Sequence, residues 1–461
     1  MPGRTYALRQ GKTVILNRWR SLHQIALLWG SSIIAAGLAF LTQLVLARHL
    51  DPATYGIFGS SLALITMLSQ FSGFGLQGFW LKAFGQEGWT AQRWVRGSLH
   101  FVVISTIVTL LVFAAWAQFG PNDDTTRLTL LLMAPSIAGL AAIELTISKL
   151  QLEERYLFIS LWQISPQAAR LILISLGFLF ATGSQRLTWV AIIYTVVAVG
   201  LVAVTVKQIL EMGAPGFNLR GHGSRGDLQV TATSAIPGAS APTIKNVAQE
   251  AWPFGVDVIL YLAYLQISNV LLKYLDGNEA AGLYYAAFNI MNAIYLLPIV
   301  LYTKFLLSKQ HRWARNDKPR LLSSLKLGSA AMLVIGVAAM LFIWLVAPYL
   351  VPLLFGHKYA NASSLLDILA VCVPLRFLST SVGSVLSTGD HMRHRVKLKA
   401  ICAVVCIVLN VAMIPRYGTT GAAVVTVITE LTLLLLFTVS VVRRYDQLFA
   451  DTTPLAAEAH S

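Results

Sequence analysis

The sequence predicts an all-α polytopic membrane protein with about twelve transmembrane helices in two six-helix lobes. Of its 461 residues, 56% are hydrophobic and only 12% are charged. A water-soluble chain of this size could not bury so much apolar surface. Apolar runs of about 20 residues, the length that crosses a bilayer, recur along the chain, and its two halves share landmarks at matching spacing.

Each apolar run is assigned to one transmembrane element. The twelve predicted helices cover residues 25–47, 57–80, 95–119, 128–150, 158–182, 188–210, 251–273, 281–308, 325–348, 364–388, 396–414 and 421–442.

Polar segments at the termini and in the middle of the chain divide it into two groups of helices. Residues 1–24 are basic and polar, and the apolar run after them is too long for a signal sequence, so we expect that nothing is removed. The longest loop, 211–250, is rich in Gly, Ala, Ser, Thr and Pro, which predicts a flexible cytoplasmic linker. The linker divides an N-terminal lobe, 25–210, from a C-terminal lobe, 251–442, and residues 443–461 form a cytoplasmic tail.

The distribution of basic residues predicts the orientation. With the N-terminus placed in the cytoplasm, 26 of the 35 Lys and Arg residues fall in inside segments or at the inner ends of the predicted spans. The six outside loops carry one each: Arg48, Arg127, Arg186, Lys273, Lys358 and Arg416. This positive-inside bias is typical of helical inner-membrane proteins, and it explains the net charge of +15 without a nucleic-acid partner.

Several other classes of site are disfavoured. The three cysteines, Cys372, Cys402 and Cys406, all lie in predicted spans. Without His or further Cys partners they make a poor metal site, so we interpret them as packing residues. The string "GHGSRG" in the linker matches a dinucleotide-binding pattern by letter, but no strand precedes it. We therefore expect no metal, no nucleotide and no catalytic residue.

The two halves contain a repeat. "GSSIIAAGLAFLTQLVLARHLDPATYGIF" begins at Gly30, and "GVDVILYLAYLQISNVLLKYLDGNEAAGLYY" begins at Gly255. In both, a basic residue (Arg48 or Lys273) follows after 18 positions, and x-Leu-Asp and a helix breaker come next. "GIF" or "GLY" stands a few residues further on, with one extra residue in the second copy. Both halves begin inside, so the repeat is parallel, with its axis along the membrane normal.

Six stretches of the chain carry a family resemblance: "LARHLDPATYGIF", "FSGFGLQGF", "WPFGVDVILY", "AAGLYYAAFNI", "LFGHKYANASSLLDILA" and "LNVAMIPRYGTTGAAVVTVITE". In this order they resemble the polysaccharide-transporter branch of the multidrug/oligosaccharidyl-lipid/polysaccharide exporter superfamily, the Wzx-type flippases. The family often has "RID" near the end of its seventh helix. This chain has Gln266-Ile267-Ser268 there, so both charges of that pattern are missing.

The resemblance implies a V-shaped, two-lobed exporter fold in a bacterial inner membrane, and no enzyme activity. It also implies movement of undecaprenyl-diphosphate-linked oligosaccharide from the cytoplasmic to the periplasmic leaflet by alternating access, for O-antigen or exopolysaccharide synthesis. The partners that it implies are a polysaccharide polymerase and a chain-length regulator.

Basic residues inside the spans are the candidates for binding such a cargo. A diphosphate is anionic, and Arg binds phosphate oxygens in a bidentate manner. Arg170 and Arg376 lie near the middle of the fifth and tenth spans, and Arg48 and Lys273 stand at repeat-related outer helix ends. The alternatives are structural ion pairs for the deep arginines and interface snorkelling for Arg48 and Lys273, as for Lys304.

Three acids lie in the spans: Glu144, Asp257 and Glu430. An ionised carboxylate in hydrocarbon costs several kcal/mol, so each is a functional hypothesis. Glu430 could pair with Arg376, and Glu144 with Arg170, as structural ion pairs. Alternatively, these acids could couple transport to protons or sodium ions.

Tyrosines in the spans could stack on sugars, although tyrosines near interfaces are more often belt residues. They are Tyr261, Tyr264, Tyr284, Tyr285, Tyr295 and Tyr302.

Four other functions compete, one of which is a membrane scaffold without transport, although the paired halves and midplane charges argue against it. A cation-coupled drug exporter of the same superfamily would favour acids lining its cavity, whereas the deep Arg170 and Arg376 suit an anionic cargo better. A lipid II flippase usually has fourteen spans. A membrane polysaccharide polymerase or ligase usually carries a large periplasmic loop, and here every predicted outside loop is short.

Overall fold

The computed structural model describes residues 3–183, 185–210, 242–299, 313, 318–386 and 392–445. Every regular element of these residues is a helix. We number the α-helices in chain order: α1 Gly3–His49, α2 Pro52–Gly73, α3 Leu76–Glu87, α4 Arg93–Phe119, α5 Asp124–Met133, α6 Pro135–Leu152, α7 Tyr156–Phe180, α8 Gln185–Leu210, α9 Ile244–Leu275, α10 Asn278–Ile299, α11 Lys318–Phe355, α12 Ala362–Ala370, α13 Cys372–Val385 and α14 Met392–Arg443. Short 3₁₀ helices cover Gly88–Gln92 and His357–Tyr359.

Within the described residues, eleven helical segments are long and apolar enough to cross a membrane. The last of them, His394–Arg443, has 50 residues, about 75 Å if straight and far more than one bilayer thickness. It reverses at Gly418, where φ is 55° and ψ is −137°. The Cys402 thiol on one side of this reversal donates to the Thr429 carbonyl on the other, at 3.3 Å. Two predicted spans, 396–414 and 421–442, therefore lie within this one segment.

Local sequence explains where α2 begins. Pro52 occupies the first helical position, where a missing N–H costs nothing. The Asp51 carboxylate accepts a hydrogen bond from the Thr54 backbone N–H at 3.1 Å and another from its hydroxyl at 2.6 Å. Asp123 caps α5 in the same way, accepting from the Thr126 N–H at 3.2 Å. These caps satisfy backbone donors that the helix itself leaves unpaired.

The chain forms two compact units. Unit 1 comprises Met1–Leu50 and Ser61–Ile259, and unit 2 comprises Asp51–Ser60 and Leu260–Ser461. The first residues of α2 therefore belong to unit 2, although they come from the first half of the sequence. Large apolar side chains remain exposed along the spans, for example Leu111 on α4 and Leu345 on α11. Lipid tails would cover such faces in a bilayer.

Inside unit 2, two repeat-related helix starts cross at glycine. A Cβ on Gly56 of α2 would lie 1.8 Å from the carbonyl oxygen of Asn278, and one on Gly282 of α10 would lie 1.9 Å from that of Pro52. Gly56 corresponds to Gly282 in the sequence repeat, and the same offset maps Pro52 onto Asn278. The contact is reciprocal, as expected for two elements related by a two-fold axis. Only glycine permits so close a backbone approach.

Several sequence predictions fall outside the described residues. These include most of the 211–250 linker with its "GHGSRG" string, the end of the predicted span 281–308 with Tyr302 and Lys304, and the tail beyond residue 445.

Candidate functional site

Unit 2 contains a buried ion pair between Arg376 of α13 and Glu430 of α14. Nη1 of Arg376 lies 2.6 Å from Oε1 of Glu430, and the two side chains are only 3% and 2% exposed. The two residues are 54 positions apart, so only the tertiary fold brings them together. The carboxylate and the guanidinium neutralise each other in an apolar interior, which removes most of the cost of burying either alone.

Tyrosines from two further helices surround the Arg376 guanidinium. Nη2 donates to the Tyr261 hydroxyl at 2.7 Å, and Nη1 donates to the Tyr264 hydroxyl. The guanidinium carbon lies over the rings of Tyr261, Tyr264 and Tyr295, at 5.1, 5.4 and 5.2 Å from their centroids. Cation–π contacts of this kind are attractive when water is excluded. Arg376 thus connects α9, α10, α13 and α14.

A second polar cluster lies in the same unit, where the family often has "RID". Ser268 accepts a hydrogen bond from the Asn410 amide at 3.1 Å. Tyr284, on α10, shares a hydrogen bond of 2.8 Å with Thr426. Both Ser268 and Asn410 are buried. The cluster links polar groups of three helices and leaves the Asn410 amide oxygen without a hydrogen-bond partner in the described structure. The residues named here include no carboxylate.

The deep arginine of unit 1 has different surroundings. Arg170 lies on the buried face of α7 and is 7% exposed. Its guanidinium carbon sits 4.5 Å from the ring centroid of Tyr194 on α8. In the described part of the chain it has no ion pair and no hydrogen bond, and its Nε is fully enclosed. An aromatic ring attracts a cation but does not cancel its charge, so Arg170 remains an uncompensated positive charge.

Other polar groups share this face of α7. Gln163 precedes Arg170 by seven residues, about two helical turns. Its Oε1 accepts hydrogen bonds from the hydroxyls of Ser32, at 3.2 Å, and Ser31, at 3.5 Å, both on α1. Gln163 and Arg170 therefore form a polar stripe along this face of α7, whose other buried residues are apolar except for Ser160.

The structure does not join Glu144 to Arg170. Oε1 of Glu144 accepts a hydrogen bond from Nε2 of Gln70 at 3.0 Å instead. Glu144 lies eight residues before the end of α6, about 12 Å, whereas Arg170 lies fourteen residues after the start of α7, about 21 Å. This difference in depth of about 9 Å exceeds the reach of a direct ion pair, which explains why the expected pairing is wrong.

The remaining predicted residues lie apart from these clusters. Asp257 is buried on α9 in unit 1. Lys273, near the end of α9, is buried with its ammonium 5.6 Å from the Tyr274 ring centroid. Arg48, at its repeat-related position near the end of α1, is exposed. The roles predicted for these three residues stay predictions, and Lys304 falls outside the described residues.

A further cluster lies at the start of α2, at its junction with α1. There the stretch "LARHLDPATYGIF", which contains Asp51, meets the stretch "LFGHKYANASSLLDILA", which contains Tyr359. Tyr359 packs edge-on against Tyr55, with ring centroids 5.7 Å apart. Partial burial opposes ionisation of Asp51, but hydrogen bonds from Thr54 and the charge of Lys358 outweigh it and lower its pKa. Burial and the Asp51 carboxylate raise the pKa of Tyr359. The junction is therefore held together by one carboxylate and an aromatic cluster.

Beside the buried charges of unit 1, sequence reasoning missed Gln70, Gln163 and Tyr194. Both glutamines are isolated amides within apolar runs, a signal that was available because polar groups in a span need a partner. Nothing local marked Tyr194 as the neighbour of Arg170. In the described residues, no group of three or more His, Cys, Asp or Glu side chains could hold a metal ion.

The chain is similar to known proteins in both sequence and fold. Residues 21–305 match the family described as "Polysaccharide biosynthesis protein". No functionally curated protein matches the chain.

Solved structures share its fold at low identity. The lipid II flippase MurJ in an inward closed conformation superposes with a TM-score of 0.67 at 12% identity, over 90% of this chain and 87% of that chain. A eukaryotic MATE transporter, AtDTX14, gives a TM-score of 0.62 at 13% identity, over 92% and 96%. A MOP superfamily transporter from Pyrococcus furiosus gives 0.61 at 15% identity, over 92% and 95%. The chain is therefore a multi-pass membrane protein with the MurJ/MATE exporter fold, and it belongs to the family described as "Polysaccharide biosynthesis protein".

Proposed function

We propose that this protein flips undecaprenyl-diphosphate-linked oligosaccharide repeat units from the cytoplasmic to the periplasmic leaflet of a bacterial inner membrane. It acts by alternating access, without enzymatic chemistry, and its termini lie in the cytoplasm. The flipped units feed O-antigen or exopolysaccharide synthesis, and the proteins that act next are a polysaccharide polymerase and a chain-length regulator. Family membership and the exporter fold support this proposal.

The observation that carries the proposal is the uncompensated charge of Arg170. A buried cation without a counter-charge is expensive to maintain unless an anion completes it during function. A diphosphate offers oxygens that the guanidinium fork can bind in a bidentate manner. Gln163, two turns away on the same stripe, is placed to offer amide contacts to the attached saccharide.

The two deep arginines differ in this respect. Glu430 already matches the charge of Arg376, while the charge of Arg170 is unmatched among the described residues. We therefore assign the first contact with the diphosphate to Arg170. A cationic drug would be repelled by this group, which disfavours the drug-exporter alternative that the MATE neighbours raise.

The test is depletion of the protein in cells that make a surface polysaccharide. Lipids would be extracted, and undecaprenyl-diphosphate-linked oligosaccharide would be measured by mass spectrometry. Leaflet accessibility would be probed in the same cells with an impermeant sugar-modifying reagent. We expect complete repeat units to accumulate in the cytoplasmic leaflet. Units trapped in the periplasmic leaflet would place the block at polymerisation and overturn the proposal, as would unchanged polymer with new sensitivity to cationic compounds.

Complementation with variants then tests the assignment of Arg170. Arg170→Ala should leave repeat units trapped, and Arg170→Lys should restore transport only in part, because an ammonium cannot form the bidentate contact. Arg127→Ala is the matched control: Arg127 pairs with Asp124 at 3.4 Å in the first turn of α5, away from the span interior. Full transport by Arg170→Ala at equal protein level would refute the assignment.

A further inference from the structure

Glu144 has a partner that cannot neutralise it. Its Oε1 accepts from the amide of Gln70, a residue that is itself only 8% exposed. On the other side, a Cβ added to Gly73 would lie 3.4 Å from Oε2 of Glu144. Gln70 and Gly73 are both on α2, so the carboxyl of Glu144 is held against that helix from the side of α6.

No described cation pairs with this acid. The described residues of α2 include no Lys, Arg, His, Asp or Glu, and α3, α4, α5, α7 and α8 also pack against α6. Five basic residues on α6 and these helices have ion-pair or hydrogen-bond partners elsewhere: Lys82, Arg93, Arg127, Lys149 and Arg186. Arg170 lies against the Tyr194 ring and does not reach Glu144. The other basic residues, Arg96, His100 and Lys207, are exposed and form no ion pair with Glu144.

This environment differs from that of Glu430. Glu430 is fixed by a guanidinium, and its second oxygen is fully enclosed. Glu144 is only partly buried, and its Oε2 is neither hydrogen-bonded nor fully enclosed in the described structure. A proton could reach Oε2 of Glu144 without breaking an ion pair, whereas Glu430 would first have to leave Arg376.

A carboxylate without a nearby cation in an apolar span is stabilised by binding a proton. The Gln70 amide can donate to the carboxyl oxygen in either protonation state, so this hydrogen bond holds the group in place while the proton comes and goes. One proton adds to Oε2 to give a neutral acid, and its release to water restores the anion.

We propose that Glu144, positioned by Gln70, is the proton-exchanging acid through which this protein couples substrate movement to a proton gradient. The coupling part rests on the proposed function, and the proton site itself does not. Glu430 is then the anionic half of a structural pair.

The first experiment does not need transport. Infrared difference spectra of the purified full-length protein would be recorded as the pH is stepped through neutrality. We expect wild type to show a titrating band of a protonated carboxyl. Glu144→Gln should lose this band. Glu279→Gln, which changes an exposed acid in the first turn of α10, should keep it.

A second variant separates proton binding from a general loss of structure. Gln70→Leu keeps the carboxyl but removes its amide donor, so the band should persist and shift towards the frequency of a carboxyl without a hydrogen bond. Absence of any titrating band in wild type, or its survival in Glu144→Gln, would overturn the proposal.

The second experiment measures flipping in proteoliposomes with and without an imposed pH gradient. The gradient should accelerate flipping of lipid-linked oligosaccharide by wild type and Glu279→Gln, and the two rates should become equal in Glu144→Gln. Wild-type flipping that ignores the gradient would refute coupling and leave the flippase assignment intact. No wild-type flipping, with a normal infrared titration, would refute the flippase assignment and retain the proton site.

Discussion

The Arg376–Glu430 pair predicts a specific pattern of stability in a double-mutant cycle. Arg376→Met leaves Glu430 buried and without its guanidinium, and Glu430→Leu leaves Arg376 buried without its carboxylate. Each side chain is 3% or less exposed. Breaking a buried pair by removing one partner costs about 3–5 kcal/mol, whereas replacing both partners by apolar residues is often neutral or stabilising. The double variant should therefore be more stable than either single variant.

The assay is the thermal stability of purified, detergent-solubilised protein, followed by loss of the monodisperse peak on gel filtration. Lys82 and Glu250 provide a matched control, since they form an ion pair of 3.2 Å with side chains 42% and 48% exposed. The same cycle there should show a coupling of about 0–1 kcal/mol, because solvent screens an exposed pair. A double variant of Arg376 and Glu430 that is as unstable as the sum of its singles would refute the reasoning.

The same double variant distinguishes the two roles that remain for Arg376. Normal flipping by the stable double variant would show that the pair is structural. A stable double variant that does not flip would show that Arg376 contacts the cargo or takes part in coupling, as the sequence alone allowed.

Three further predictions concern other parts of the structure. Gly56→Ala should strongly destabilise the purified protein, because its Cβ would lie 1.8 Å from the Asn278 carbonyl oxygen; Gly30→Ala, with nothing within 4 Å, should not lower the melting temperature. Asp51→Ala should lower the free energy of unfolding by about 1 kcal/mol through loss of the α2 cap. Because the folded-state pKa of Asp51 is lowered, this contribution should be present near neutral pH and shrink as the pH falls below the ordinary aspartate pKa. A stability difference between wild type and variant that stays the same in acid would contradict this prediction. Cys372, Cys402 and Cys406 are free and buried, so a maleimide should label them only after unfolding, and rapid labelling of the folded protein would contradict their packing.

The fold class was largely predictable because hydrocarbon imposes strong rules on sequence. An α-helix pairs its own backbone donors and acceptors, and it needs about 20 apolar residues to cross the hydrocarbon core of a bilayer. Apolar runs of that length therefore locate the spans. The repeat was also visible, and the structure confirms it at Gly56 and Gly282. The last two predicted spans, 396–414 and 421–442, meet at the reversal at Gly418. The form of this connection was not predictable, because a single glycine between two apolar runs is compatible with either a loop or a sharp reversal.

The contacts of buried charges were less predictable, since they depend on depth and on which helix faces which. The proximity of Arg376 and Glu430 follows from the packing of α13 against α14. The expected contact between Glu144 and Arg170 does not form, because the two residues lie at different depths. Glu144 is about 12 Å from the end of α6, Arg170 is about 21 Å from the start of α7, and the difference is about 9 Å. Periodicity locates a residue on one helix, whereas a contact also needs the register between two helices.

The contrast between the units yields a physical division of labour. In unit 2, Arg376 and Glu430 cancel each other within a cage of tyrosines, so this charge pair can hold helices together through a transport cycle without attracting ions. In unit 1, Arg170 and Glu144 are separated in depth and lack opposite charges among the described residues. Two uncompensated charges of opposite sign would collapse onto each other if the packing allowed it. Rigid helices keep them apart, so each can be completed from outside, Arg170 by an anion and Glu144 by a proton. Moving the acid next to the arginine should therefore abolish both functions. Glu144→Gln combined with Ile174→Glu, one turn from Arg170 on the buried face of α7, should create an internal ion pair and stop flipping. Stable protein that still flips would show that the charge of Arg170 is not needed.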